Sequence, residues 1–263
     1  MQTLYEKKQL RATLDKNDVC RVYLNNPAQL NALNTTMAEG AVELATIIKA
    51  SPARVVVFSG EGRAFSAGGD LDYLLHLTTL PKEESAAAML KFYQSYLTLF
   101  TLPLATIAHI NGPCVGAGFC LALACDLRYV VSGTKVGMNF VRIGLNPGMA
   151  AEAWAVRSDE VLLREMLLTG KIYSSSEPRL RTLFNLVASP EEIRTAVEDT
   201  ATQITSASPQ SIRLSLPLLR NAHLTREAVM HAEAEGQGIS MSTGEIKEAV
   251  AAQRAGKIFR FNL

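Results

Sequence analysis

The chain has 263 residues, 48% of them hydrophobic, with 26 Lys and Arg against 25 Asp and Glu and a net charge of +1. That length and apolar content supply one large core, or a core with an appendage. The charge balance carries no basic excess or stripe of the kind a nucleic-acid binder needs, and no stretch reaches the roughly 18 uncharged apolar residues of a membrane span.

Leu10–Leu14 and Val19–Leu24 read as two short strands joined by the turn-forming Asp15-Lys16-Asn17-Asp18, with Asn25-Asn26-Pro27 closing the second. Thr35–Ile48 places Met37, Ala41, Leu44, Ala45 and Ile48 at helical spacing. Arg54–Ser59 is a β-branched run expected to be buried on both faces. A glycine-rich loop, Gly60–Gly69, leads into a helix over Asp70–Leu77, and Lys82–Thr101 reads as one long helix. Leu104–Ile110 is a second buried strand. It is followed by a second glycine loop, Gly112–Gly118, the apolar helix Phe119–Ala124 and a strand at Leu127–Val131. Beyond Glu160 the pattern is mostly helical, with starts near Ser189-Pro190, Ser208-Pro209 and Thr225 and a last helix over Thr243–Gln253 capped by Thr243. The class is α/β, with a core over 1–190 and a C-terminal helical region over 191–263.

The four cysteines, Cys20, Cys114, Cys120 and Cys125, have neither zinc-type pairing nor the spacing of a small secreted domain. They read as reduced, buried thiols. Met1–Lys8 is polar and the chain ends Phe-Asn-Leu, so no signal peptide, transit peptide or peroxisomal address is expected, and a soluble intracellular protein is.

Each glycine loop lies between a strand and a helix, where backbone can approach a ligand and helix N-terminal N–H groups stay unpaired. Two such sources converging on one point would make an oxyanion hole. Rival readings exist for each loop alone. Gly116-Ala117-Gly118 partly matches a dinucleotide fingerprint, but Leu121 stands at the third glycine. Ala64-Phe65-Ser66-Ala67-Gly68 partly matches a nucleophile elbow, but His76, His109, His223 and His231 have no telling context. Either loop could also be a simple tight turn.

The ordered set of segments is more specific than any one of them. Asn25-Asn26-Pro27-Ala28-Gln29-Leu30-Asn31-Ala32-Leu33, then Phe65-Ser66-Ala67-Gly68-Gly69-Asp70-Leu71, then Asn111-Gly112…Gly116-Ala117-Gly118…Leu121-Ala122-Leu123-Ala124-Cys125-Asp126 resembles the crotonase superfamily, the enoyl-CoA hydratase/isomerase family. The likeness continues through Leu168-Thr169-Gly170 to Glu245…Ala251-Ala252-Gln253-Arg254. It implies a crotonase-like spiral of ββα units in two nearly perpendicular sheets, and a C-terminal helical region serving a homotrimer or a dimer of trimers. The implied ligand is an acyl-CoA thioester, with coenzyme A as part of the substrate and no metal or redox cofactor. The implied oxyanion donors are the backbone N–H groups of Gly69 and Ala117. The implied substrate and CoA contacts are Ala28, Gln29, Leu30, Ala67, Gly68, Asp70, Leu71 and Phe140. Tyr73 and His76 are candidates for the wall of the acyl tunnel, and Arg63, Lys257 and Arg260 for CoA phosphates.

The sequence departs from the family where its acids should be. The two glutamates of the hydratases map onto Cys120 and Phe140, and the aspartate of the dienoyl-CoA isomerases maps onto Gly148. Water addition needs a base and an acid within hydrogen-bond reach. Cys120 and Glu152 are the remaining proton-handling candidates. A buried thiol makes a poor base, and a glutamate in Ala150-Ala151-Glu152-Ala153-Trp154 reads more readily as exposed or salt-bridged than as facing the acyl group. Asp70 reads as a helix cap, and Asp126 as an acid without catalytic duty. The resemblance therefore implies an acyl-CoA-binding enzyme that stabilises a thioester enolate, with isomerisation favoured over hydration. A catalytically inactive acyl-CoA-binding or assembly protein of the same fold is the alternative.

Overall fold

The computed structural model describes residues 1–151, 153–154, 158–221, 223–257, 259 and 261. Its strands form two sheets. The larger has the spatial order β1 (Gln2–Lys7), β2 (Leu10–Leu14), β3 (Val19–Leu24), β4 (Val55–Gly60), β5 (Ala105–Ile110), β7 (Leu127–Val131), β10 (Leu186–Ala188). The first three are antiparallel, and every pairing from β3 to β10 is parallel. The smaller sheet joins β6 (Cys114–Val115), β8 (Lys135–Gly137) and β9 (Ile172–Ser174).

Local chemistry explains the frame. The β2–β3 turn closes because the Asp15 carboxylate accepts the N–H groups of Asn17 and Val19, an Asx turn. Every residue of β4 is buried. Successive side chains alternate faces, so Val56 and Phe58 enter the main core while Val55 and Val57 face a second one. Helix α1 (Thr35–Lys49), capped by the Asn34 side chain, buries the five expected apolar residues together with Ala38 and Gly40. Helices α2 (Leu71–Leu77) and α3 (Lys82–Leu97) then connect β4 to β5, and α4 (Ala117–Ala124), all eight residues buried, connects β6 to β7. After α5 (Glu160–Thr169), helix α6 (Pro190–Ser206) starts from a Ser189/Glu192 capping box. Its Ile193, Val197 and Ala201 cover Val55, Val57 and Ile107 of the large sheet. Helices α7 (Pro209–Arg220), α8 (Arg226–Ser242) and α9 (Glu245–Arg254) follow, and neither α8 nor α9 buries a residue within the chain. Among the described residues no helix is long and apolar enough to cross a membrane.

Two expectations need correction. The helix expected over Lys82–Thr101 ends at Leu97 and tightens into a 3-10 turn, Thr98–Phe100, which rotates Leu99 and Phe100 into the core. The last helix starts at Glu245 behind Gly244, whose φ of 80° breaks the chain direction. Thr243 ends α8 and donates to the Ser240 carbonyl, although its hydroxyl still accepts the Glu245 N–H at 3.3 Å. The polar N-terminus is an edge strand, β1, that buries only Tyr5.

One ion pair fastens α7 to the core. Arg220 reaches both oxygens of Asp126 at 2.7 and 2.9 Å and donates to the carbonyls of Leu102 and Leu104 at 2.8 Å. Asp126 also accepts from the Thr106 N–H and hydroxyl. Burial alone would raise the Asp126 pKa, but Arg220 and Thr106 outweigh it and hold the carboxyl below the ordinary range. The partners stay mostly out of solvent, with side chains 17% and 15% exposed. Replacing Arg220 by Met should therefore cost about 3 kcal/mol in urea unfolding at pH 7. With a depressed folded-state pKa, the contribution is full above the unfolded-state value near pH ~4 and is lost as pH falls further. Unfolding curves of the two proteins should thus converge in acid, and a gap that stays constant with pH would show that the pair does not carry it.

Candidate functional site

Both glycine loops leave the carboxyl ends of neighbouring parallel strands, where open α/β sheets place their ligand crevice. A Cβ on Gly60 would overlap the Ala64 carbonyl, one on Gly112 the Arg63 carbonyl, and one on Gly118 the Ser66 side chain. Glycine is what allows these segments to touch. The Ser66 N–H then donates to the Pro113 carbonyl (3.1 Å) and the Val115 N–H to the Ser66 carbonyl (3.0 Å), zipping the loops into a parallel bridge. On its other edge the first loop pairs with the segment before α1: Leu33 N–H to Gly68 carbonyl (2.7 Å) and Asp70 N–H to Leu33 carbonyl (2.9 Å).

Buried and half-buried polar side chains lock this arrangement. Asn31, fully buried at φ 56°, accepts from the Asn26 N–H and donates to the carbonyls of Glu61 and Ala64. Asn111 accepts from the Gly60 N–H and donates back to the Gly60 and Gly62 carbonyls. Ser66 is also fully buried. Its hydroxyl donates to the Asn31 carbonyl and accepts from the Gly68 N–H. That hydroxyl is thus committed to structure, without a histidine partner among the described residues, and the nucleophile-elbow reading is set aside.

The Leu33–Gly69 bridge uses the groups flanking Gly69, which leaves the Gly69 N–H facing the other way. Ala117 is the first residue of α4, where N–H groups lack an intrahelical acceptor. Among the described residues neither N–H has an acceptor, and both residues line a cavity of about 520 Å³. Gly68, at φ 100°, brings the two segments together. A Cβ there would lie 3.0 Å from the Val115 carbonyl and 3.7 Å from the Ala117 nitrogen.

Of the other expected contacts, Gln29, Ala67, Asp70, Leu71 and Phe140 line the same cavity. Ala28, Leu30 and Gly68 do not; the Leu30 carbonyl instead accepts the Ala67 N–H. Asp70 caps α2 by accepting the Tyr73 N–H. Tyr73 is in the wall, whereas His76 is exposed and outside it. Arg63 and Lys257 are exposed. Glu152 and Arg260 lie outside the described residues. The sequence reading missed Met89, Phe92, Tyr93, Asn139, Ile143, Leu145 and Met149 as lining residues, along with the acid Asp72 and its neighbour Leu74 on α2; Ala32 and Gly116 complete the wall. Its one legible signal was the Met89, Phe92, Tyr93, Tyr96 stripe at helical spacing. Phe92 stacks on Tyr73 at 5.3 Å and meets Tyr96 edge-on at 4.9 Å.

The positions where acids were expected are filled by neutral groups. Cys120 is fully buried in α4, outside the cavity lining, with its thiol 3.8 Å from the Gly148 carbonyl. Burial pushes its pKa far up, as it does for Cys114 and Cys125 and for Cys20, pushed up to about 12. Such a thiol stays protonated and cannot serve as a base. The four cysteines should therefore resist a disulfide reagent in the native protein at pH 8 and react only after denaturation. One fast-reacting native thiol mapping to Cys120 would return it to the chemistry.

Known proteins match this fold and sequence along most of the chain. The family model described as enoyl-CoA hydratase/isomerase matches residues 15–257. A crotonyl-CoA hydratase of Syntrophomonas wolfei is 28% identical over 244 residues, 91% of this chain and 93% of that protein. An (E)-benzylidenesuccinyl-CoA hydratase of Thauera aromatica is 30% identical over 200 residues, 75% of this chain and 77% of that protein. The crystal structure of an enoyl-CoA hydratase from Polaromonas sp. JS666 superposes with a TM-score of 0.88 at 26% identity, covering 96% of this chain and 99% of that one. The two glycine loops, the mostly parallel sheet and these matches agree: the chain belongs to the enoyl-CoA hydratase/isomerase family of the crotonase superfamily.

Proposed function

We propose that the cavity binds an acyl-CoA thioester and that the Gly69 and Ala117 N–H groups hold its carbonyl oxygen, stabilising the enolate. The observation that carries this reading is the pair of acceptor-less N–H groups on the two bridged loops, both lining one largely apolar cavity. Fixed donors in a dry site contribute about 3 kcal/mol each to a developing oxyanion. Phe92, Phe140, Ile143 and Met149 offer an apolar wall for the acyl chain. Coenzyme A enters as part of the substrate.

Isomerisation, a shift of the double bond through the enolate, is favoured over hydration because Cys120 and Phe140 stand where the two glutamates of the hydratases would handle water. The same residues favour a second reading, a protein that binds acyl-CoA without turning it over. Assembly through the C-terminal helices belongs to both readings. It is supported by α8 and α9, which bury nothing within the chain and leave Met230, Ile239, Met241 and Ile246 exposed. A homotrimer or a dimer of trimers would cover them.

Calorimetric titration with enoyl-CoA thioesters, paired with a sensitive turnover assay across chain lengths, tests these readings. Binding with double-bond migration supports the enzyme, binding without turnover the non-catalytic protein, and no thioester binding refutes both. Gly68→Ala strains a φ of 100° and crowds the Val115 carbonyl, so it should displace the Gly69 donor and lower kcat/KM by about 100-fold. Glu152 is the acid that the sequence places just beyond Gly148. If it is the base, Glu152→Gln should lower turnover by at least about 100-fold; unchanged turnover removes it from the mechanism.

A further inference from the structure

The place of the missing third acid is occupied. A Cβ on Gly148 would run into the Tyr93 hydroxyl, so any side chain there requires the phenol to move. Tyr93 projects from α3, and its ring lines the cavity that holds Gly69 and Ala117. Behind Gly148, its carbonyl meets the Cys120 thiol one turn along the helix that Ala117 begins. Position 148 is thus pinned from α4 on one side and open to the phenol on the other.

The hydroxyl is free for a ligand: it is not among the buried side-chain atoms that lack a partner, and it opens to the cavity. Tyr96, on the same helix, donates to the Asn34 carbonyl, whereas the half-buried Tyr93 hydroxyl has no hydrogen-bond partner among the described residues. Burial raises its pKa, and neighbouring Cys120 and Tyr73 add to the rise, so the phenol keeps its proton and acts as a donor. A donor facing a ligand cavity with no intramolecular acceptor is available to a ligand oxygen, and a ligand that displaces its water without replacing the hydrogen bond loses affinity.

We propose that Tyr93 is a specificity-determining residue of this cavity: its hydroxyl donates a hydrogen bond to an acceptor oxygen on the acyl group, beyond the thioester carbonyl, so that oxygenated acyl thioesters are preferred over hydrocarbon ones. The inference rests on the acyl-thioester reading above. Phe92 and Phe140 line the apolar part of the cavity, and the phenol supplies a polar point at the depth of position 148.

Titration calorimetry on the full chain, with butyryl-CoA and its 3-hydroxy and 4-hydroxy derivatives as probes, tests this. One hydroxyacyl thioester should bind wild type about ten-fold more tightly than butyryl-CoA. The ratio should fall to about one in Tyr93→Phe, which removes the hydroxyl and keeps the ring. It should fall likewise in Gly148→Ala, which displaces the phenol without altering its chemistry and carries the test if the first variant does not fold. Butyryl-CoA binding without any preference in wild type, or a preference that survives in the folded variants, overturns the role of Tyr93 and leaves the thioester reading standing. Failure of all three thioesters to bind overturns both.

Discussion

The short parallel bridge between Ser66 and Cys114 is the constraint on which the site depends. It consists of two backbone hydrogen bonds, individually worth about 1 kcal/mol net. Their consequence is larger than that figure. The bridge requires the loops after β4 and β5 to approach within backbone contact, and this forces glycine at positions 112 and 118, while Gly60 is required where the first loop folds back on its own Ala64 and Phe65 carbonyls. It also fixes which way each peptide faces. With the neighbours of Gly69 consumed by Leu33 on one edge and Ser66 consumed by the second loop on the other, the Gly69 N–H points where no chain atom meets it. The second loop continues into β6, and the Gly116 N–H donates to Gly137 of β8, so the smaller sheet sets the start of α4 and with it the Ala117 N–H.

Neutral polar groups hold this geometry. Asn31, Asn111 and Ser66 satisfy backbone carbonyls and N–H groups that the loops cannot satisfy among themselves. An asparagine suits the task because one amide accepts and donates at once. A carboxylate at position 31 could not donate to the Glu61 and Ala64 carbonyls and would bury a charge besides. The stabilising network and the donor pair are therefore one structure, and loosening either would move the other.

Legibility in the sequence followed the range of the interactions. Strands β2 to β5, β7 and α1 were readable because burial on one or two faces imposes a period on neighbouring residues. The starts of α6, α7 and α8 were readable because Ser189, Ser208 and Thr225 cap them through bonds spanning three residues. By contrast β8, β9 and β10 have three residues each, too few to show a period, and exist through pairing with distant segments. The glycine loops announced close approach but not what they approach. The cavity wall was least readable: Tyr93, Asn139 and Met149 come from three separate segments, and nothing local to Tyr93 distinguishes it from Tyr96, whose hydroxyl is satisfied.

The absence of carboxylates at positions 120, 140 and 148 has two opposed effects on the proposed chemistry. A carboxylate about 7 Å from an enolate oxygen would repel it by about 2 kcal/mol at an effective dielectric of about 20, so a site with a thiol, a phenyl ring and a glycine there holds the anion better. The start of α4 adds to this by directing its dipole at the same point. A positioned acid or base, however, contributes about 100- to 10,000-fold, or about 3 to 5 kcal/mol. The second effect is the larger. Asp70, the cavity-lining acid nearest the donors in sequence, is engaged as the cap of α2. On this balance the cavity is better suited to binding a thioester oxyanion than to moving a proton. Asp72, exposed in the first turn of α2, is the other carboxylate in the lining, so rapid turnover would require the proton to pass through it, through a group beyond the described wall, or through the substrate itself.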